Sequence, residues 1–186
     1  MIIFINFVKS QLFYIIFFST ILALYRIIPH PPNFTPIIAS AIMAPFLMKN
    51  KMVSIILVIL AMLLSDLIIG FHPYQLVIYS LLILISLVSP KILKYKNLIF
   101  YGIFSSLLFF LVTNFAVWLA WDYYSKDMNG LILCYTLALP FFTNTLISTI
   151  FFSLIIKFLS ARLDKLNYLI YNFFQNQKIN IIDNKN

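Results

Sequence analysis

Seven residues of this 186-residue sequence have side chains suited to binding a small molecule, and they fall in three places along the chain. They are Asn33, Phe34 and Thr35 in a proline-rich segment, Asn114 and Trp118 in a later apolar stretch, and Tyr135 and Asn144 in the last one. Asparagine amides donate and accept hydrogen bonds, and a tryptophan ring offers a flat stacking face. This set favours a flat heterocycle with a polar edge over a sugar or a free ion.

The same side chains also have structural interpretations. Asn114 and Asn144 are equally suited to hydrogen bonds between helices. Trp118 belongs to a group of aromatic residues near the end of an apolar stretch, where membrane proteins carry an aromatic belt. Because Trp118 follows Asn114 by four residues, the two share a helix face. We therefore expect Trp118, among these aromatic residues, to face inward.

Arg26 and Asp66 are ionisable residues that the sequence places within apolar stretches. A single buried charge in such surroundings is costly, so we expect the two side chains to form an ion pair. The pair is either a structural clamp or a clamp that also contacts a ligand.

The sequence holds little material for a metal site or for catalysis. It has two histidines, one cysteine and no glutamate. His30, His72, Asp66 and Cys134 form a conceivable metal site, but no two of them have metal-ligand spacing on one helix. An intramembrane enzyme with His30 or His72 as base is the weakest hypothesis. Since no nucleophile stands beside a base and no phosphate-binding loop occurs, we predict neither an enzyme nor a cofactor.

Composition places these residues in a membrane. Hydrophobic residues make up 63% of the chain and charged residues 10%. Windows of apolar residues predict six spans, at 10–28, 36–48, 52–70, 74–89, 98–121 and 131–158. All but two of the 13 basic residues then fall on one side, the exceptions being Arg26 and Lys126. The positive-inside rule assigns that side, with both termini, to the cytoplasm.

The predicted fold is therefore an all-α integral membrane protein, a six-span helical bundle with both termini cytoplasmic. Its net charge of +8 faces the anionic headgroups of the bilayer, and we expect no binding to nucleic acid. The polar residues named above collect in the outer half, whereas the inner halves of the spans are nearly all apolar. The site should therefore open outward and be closed toward the cytoplasm.

A proline-rich segment from Pro29 to Pro36 must position the first three candidate residues. Four prolines in eight residues cannot continue a helix, so we predict an extended segment at membrane depth. The helix that follows, 36–48, is about 20 Å long, against a hydrocarbon core of about 30 Å. We expect Thr35 to cap it, with Pro36 in the first helical position. Its start, facing a cavity, would suit a carboxylate or carbonyl group of a ligand.

The last apolar stretch is too long for one span. We expect a kink at Pro140 that divides it into a short outer or re-entrant helix over 131–139 and a sixth span over about 141–159. An interfacial amphipathic helix should follow, because apolar residues recur there at helical spacing. The domain organisation is thus a transmembrane domain over 1–174 and a polar, disordered tail over 175–186.

Several motifs together resemble a family of uncharacterised bacterial inner-membrane proteins. They are the run from Arg26 to Pro36, Ser65-Asp66 with Gly70-Phe71-His72, Thr113-Asn114-Phe115 with Trp118, and the stretch from Gly130 through Cys134-Tyr135 to Asn144-Thr145. The layout in turn is similar to that of the S components of energy-coupling-factor (ECF) vitamin importers. The resemblance implies a multi-pass protein of the bacterial inner membrane that binds a small ligand from outside. It also implies a membrane coupling subunit with ATPases as partner, although the docking motif common in S components has only Ser19-x-x-x-Ala23 as a counterpart.

Two functional hypotheses follow. The first is an S-component-like protein that binds, and imports, a small polar or aromatic nutrient such as a vitamin or precursor through an outward-facing cavity. The second is a non-transporting scaffold or assembly factor, in which the outer polar residues are structural.

Overall fold

A computed structural model describes the backbone of residues 2–48, 50–93 and 97–183, and the side chains of 12–48, 50–91, 97–162 and Lys165. Over the described residues the chain is all-helical, which confirms the predicted all-α class. These residues form six α-helices: α1 (Ile2–Ile27), α2 (Ile37–Leu47), α3 (Lys51–Ile69), α4 (Gln75–Leu93), α5 (Leu98–Ala120) and α6 (Met128–Asp183).

Three helices of the described chain are long and apolar enough to cross a membrane. They are α3, α5 and the part of α6 from Met128 to Arg162. Shorter apolar helical segments occupy Leu12–Ile27, Ile37–Leu47 and Gln75–Lys91. Helix α2, with 11 residues, is only about 16 Å long, roughly half of a hydrocarbon core.

The chain forms two compact units, Met1–Ser153 and Leu154–Asn186. In the first unit, α3 packs against α1, α2 and α4, and α4 also packs against α2 and α5. Exposed positions on these helices carry many leucine, isoleucine and phenylalanine side chains, whereas Asp66 and many serine and threonine side chains are buried. That distribution is typical of a helical bundle in apolar surroundings.

Helix α6 differs from the prediction for the last apolar stretch. The sequence predicts a break at Pro140 and disorder from Gln175, but one helix runs from Met128 to Asp183. A helix end leaves four N–H and four C=O groups without partners inside the helix, whereas a proline removes one hydrogen bond. In apolar surroundings continuing the helix through Pro140 is therefore the less costly solution.

The proline-rich segment is a tight turn rather than the extended segment that its composition predicts. The N–H of Phe34 donates to the carbonyl of Pro31 at 2.9 Å, and Asn33 has a φ of 61°. Proline at the second position and asparagine at the third favour a type II turn, since asparagine tolerates positive φ. We call residues 31–34 the proline turn.

Helix α2 begins at Ile37, with Pro36 in the N-cap position and no side-chain hydrogen bond to the cap. The prediction that Thr35 caps this helix is therefore wrong. The N–H of Thr35 donates to the carbonyl of Asn33 at 3.0 Å, so its backbone is bonded to the proline turn and not to α2. The start of α2 consequently keeps N–H groups that no side chain caps, at the positive end of the helix dipole.

Candidate functional site

A cavity of about 500 Å³ lies at the end of the first unit where α1, α3 and α5 finish and α2, α4 and α6 begin. We call this the cavity end, and all six helices contribute to the lining. Polar lining residues include Arg26, His30, Asn33, Thr35, His72 and Asn114. Aromatic lining residues include Tyr74, Phe110, Tyr124, Phe141 and Phe142. Three of the seven predicted ligand residues therefore share one cavity wall: Asn33, Thr35 and Asn114.

The proline turn is held against α6. Asn144 donates its side-chain N–H to the carbonyl of Pro32 at 2.9 Å, and Ser148 Oγ lies 3.5 Å from the Asn33 carbonyl oxygen. Asn144 lies about 24 Å along α6 from Met128, so the turn reaches well into the bundle. Asn144 thus holds the proline turn against α6, and it does not line the cavity.

Phe34 also fixes the turn instead of facing the cavity. Its ring packs against those of Phe151 and Phe152, with centroid distances of 6.3 and 5.7 Å. The Phe152 ring also contacts Tyr25 of α1 at 5.4 Å. This aromatic cluster joins the turn to α1 and α6. Asn33 and Thr35, on either side of Phe34 in the chain, remain at the cavity.

Asn114 faces the cavity with part of its hydrogen-bonding capacity in use. Its side-chain nitrogen donates to the Phe110 carbonyl at 2.7 Å, one turn earlier on α5. Its backbone carbonyl lies 3.5 Å from Cys134 Sγ, on α6. The amide oxygen and a second N–H remain, so Asn114 can offer a ligand one acceptor and one donor.

Trp118 and Tyr135 are engaged elsewhere. Trp118 Nε1 donates to the Ser125 carbonyl at 2.9 Å, and Tyr135 OH donates to the Leu111 carbonyl at 2.6 Å. Neither side chain lines the cavity. Trp118 therefore holds the loop between α5 and α6 against the end of α5, and Tyr135 links those two helices.

Lys126 also fixes the loop between α5 and α6 to the end of α5. Its ammonium group donates to the carbonyls of Trp118 and Trp121 at the end of α5, the latter at 2.6 Å. A cation at a helix C-terminus stabilises the helix dipole. Lys126 is thus held at the cavity end by the last carbonyls of α5.

Arg26 and Asp66 come together at the cavity end. Arg26 Nη1 lies 2.7 Å from Asp66 Oδ1 and also donates to the Ser65 hydroxyl. Asp66 Oδ2 accepts from Gln75 Nε2 at 2.7 Å and from Tyr79 OH at 2.8 Å. We call these residues the Asp66 network. It joins α1, α3 and α4, and since the Arg26 and Asp66 charges cancel, it adds little net charge to the cavity wall.

A family model matches residues 7–168 of this chain, a range that includes all the cavity-lining residues. The protein belongs to DUF6580, a family of unknown function. No curated protein and no solved structure matches the sequence. The geometry of this DUF6580 protein is therefore the basis for any statement about its function.

Sequence analysis missed two members of the Asp66 network in this DUF6580 protein, Gln75 and Tyr79. They are four residues apart at the start of α4 and share a helix face. A buried carboxylate needs several donors, and a single arginine rarely supplies all of them. The need for further donors at the depth of Asp66 was therefore the signal that pointed to Gln75 and Tyr79.

Both histidines of this DUF6580 protein line the cavity. The His30 ring stacks on Tyr25 at 5.7 Å, and its Nδ1 lies 2.8 Å from the Pro31 carbonyl oxygen. Burial lowers the pKa of His72 from its ordinary value of 6.5, so the ring is neutral at pH 7. Among the described side chains no group of three or more histidine, cysteine, aspartate or glutamate residues could hold a metal.

Proposed function

We propose that this DUF6580 protein crosses the membrane six times, with both termini in the cytoplasm, and that its cavity binds a small molecule from the outer side. The apolar helices and the uneven distribution of basic residues support the topology. The short α2 fits it as well, because the proline turn supplies the rest of the crossing from within the bundle.

The observation that carries the binding proposal is the cavity itself. Its volume of about 500 Å³ lies within the range of small-molecule sites, about 300–1,000 Å³. Its wall combines aromatic rings with a few polar groups that converge from different parts of the unit, among them Arg26 of α1, Asn33 of the proline turn and Asn114 of α5. Packing alone requires no such opening between the helices of a bundle.

The lining favours a flat, polar ligand that carries a carboxylate or carbonyl group. The free N–H groups at the start of α2 and the Arg26 guanidinium both suit an acceptor. Asn114 adds a mixed donor and acceptor, and the tyrosine and phenylalanine rings supply stacking faces. Since Asp66 already neutralises Arg26, the site is suited to a neutral or singly negative molecule.

We further propose that the protein imports this molecule as an S-component-like carrier in a bacterial inner membrane, coupled to an ECF-type membrane subunit with ATPases. The support for import is the sequence layout and the cavity at the predicted outer side. A vitamin or a vitamin precursor would match the ligand chemistry of the cavity.

A second candidate function is a scaffold or assembly factor. The observation that favours it is the engagement of Asn144, Trp118 and Tyr135 in hydrogen bonds within the protein. On this alternative the cavity has no physiological ligand, and the polar residues hold the helices together.

Thermal unfolding of the purified protein against a library of vitamins and precursors separates the two functions. A ligand present at 100 times its dissociation constant stabilises the folded state by about 2.7 kcal/mol. The shift should be lost in Asn114→Leu, at the cavity wall, and retained in Thr136→Val, an exposed position on α6. If no compound stabilises the protein and a membrane partner co-purifies with it, the scaffold function replaces the binding proposal.

Labelling of single cysteines with an impermeant reagent tests the topology, in a Cys134→Ala background. Asp122→Cys should react from outside the cell, and Lys91→Cys only after the membrane is opened. Both positions are exposed, so their reactivity reports the side of the membrane. Reaction of position 91 from outside would overturn the topology and the outward-facing cavity with it.

A further inference from the structure

Five buried hydroxyl groups have no hydrogen-bond partner among the described residues. They belong to Ser86 on α4, Ser105 and Ser106 on α5, and Thr149 and Ser153 on α6, and each residue is 0–1% exposed. We call them the hydroxyl seam. The sequence predicts an apolar inner half for the bundle, so these buried hydroxyls are a departure from that expectation.

Two contacts bring the three helices of the seam together. Tyr101 of α5 donates to the Ile85 carbonyl of α4 at 2.7 Å, next to Ser86. A Cβ placed on Gly102 would lie 3.7 Å from Thr149 Cγ2, which shows how closely α5 and α6 approach. Ser105 and Ser106 follow these contacts by one turn of α5, and Ser153 follows Thr149 by one turn of α6.

Other hydroxyls on the same helices use their own backbone as partner. Thr113 donates to the Phe109 carbonyl at 2.7 Å, and Thr145 donates to the Phe141 carbonyl at 2.9 Å. The seam hydroxyls make no bond of this kind. Because buried polar groups are almost always paired, the seam requires partners other than the described residues of the chain.

The seam lies next to the cavity lining. Phe109 and Phe110 of α5 and Thr145 of α6 line the cavity. Ser105, Ser106 and Thr149 each lie four residues from one of them, on the same helix face and one turn further from the cavity end.

We infer that the hydroxyl seam is a water-binding site that is continuous with the cavity. Water can donate and accept hydrogen bonds with each hydroxyl, as buried waters in proteins do. A resident cation is disfavoured because none of the five side chains is ionisable, and an unpaired charge in an apolar bundle is costly. Water at the seam does not require that the cavity bind a nutrient.

Cysteine reactivity tests the inference, since methanethiosulfonate reagents attack the thiolate and a thiol ionises only in contact with water. Single cysteines replace Ser106 or Thr149 in a Cys134→Ala background of the full-length protein in membranes. Matched controls at nearly the same depth are Ile103→Cys on α5 and Ile147→Cys on α6, where the native side chains are 42% and 53% exposed on the outer surface of the bundle. The probe is 2-aminoethyl methanethiosulfonate.

We expect the seam position in at least one pair to react about tenfold or more faster than its control. Equal rates in both pairs would overturn the inference. If the cysteine variants do not accumulate, Thr149→Val decides by its thermal midpoint. A hydroxyl that binds water lowers the midpoint when it is removed, whereas removal of an unpaired hydroxyl from a dry interface raises it and would overturn the inference.

Discussion

Asp66 at the cavity end and the hydroxyl seam nearer the opposite end are both buried polar features of the same unit. Asp66 accepts from Arg26, Gln75 and Tyr79, whereas the seam hydroxyls lack a partner within the described chain. The difference follows from charge. An ionised carboxylate in apolar surroundings must be fully paired by the protein, but a neutral hydroxyl can be left to a water molecule at modest cost.

The largest effect is expected from removing the Asp66 carboxylate. Asp66→Leu leaves the Arg26 charge without a counter-ion and two further donors without an acceptor, which should cost about 3–5 kcal/mol of unfolding free energy. Thermal and denaturant unfolding of the purified protein measure it. Asp122→Asn, at a fully exposed carboxylate near Lys126, is the control and should change little.

The double variant Arg26→Met with Asp66→Leu sharpens this prediction. It removes both charges, so it should be more stable than Asp66→Leu alone. A double variant no more stable than either single variant would show that the two charges do not act mainly on each other.

The next largest effect concerns the neutral donors of the Asp66 network. Tyr79→Phe removes one of the donors to the carboxylate and should cost about 1–3 kcal/mol, measured by the same unfolding assay. Tyr123→Phe is the matched control, because the Tyr123 side chain is exposed in the loop after α5. If the two variants are equally stable, the carboxylate does not depend on its third donor.

A smaller effect is expected from releasing the proline turn. Asn144→Leu removes the hydrogen bond to the Pro32 carbonyl and should cost about 1 kcal/mol. Hydrogen exchange of the N–H groups of Phe34 and Thr35 should also become faster, since the turn loses a fixed contact. Thr143→Val, which removes only a bond to the Leu139 carbonyl within α6, is the control. Unchanged exchange in Asn144→Leu would mean that the aromatic cluster around Phe34 is sufficient to hold the turn.

The smallest effect is a pH dependence at His72. Burial lowers the pKa of His72 in the folded protein below the 6.5 of the unfolded chain, with Arg26 lowering it and Asp66 raising it. The unfolded state therefore binds more protons, and stability should fall as the pH drops through 6.5. Thermal midpoints between pH 7.5 and about 5 measure this. The slope should be smaller in His72→Gln than in His30→Gln, and equal slopes would contradict the assignment.

The positions of most helices could be read from the sequence. The predicted spans 36–48, 52–70 and 98–121 agree with α2, α3 and α5 to within a residue or so, and 74–89 covers most of α4. Hydropathy is a local property, and a helix in apolar surroundings satisfies its backbone within the same segment. The arrival of Asn33, Thr35 and Asn114 at one cavity also follows from the alternating direction of successive helices.

The partners of individual side chains required the tertiary structure. Asn144 could have faced a ligand or another helix, and only the position of the proline turn decided between the two. Trp118 shares a face with Asn114, but the loop that contains Ser125 binds its indole N–H. In both cases the sequence determined which groups needed a hydrogen-bond partner, and the packing of the turn and the loop in the folded chain determined which partner they have.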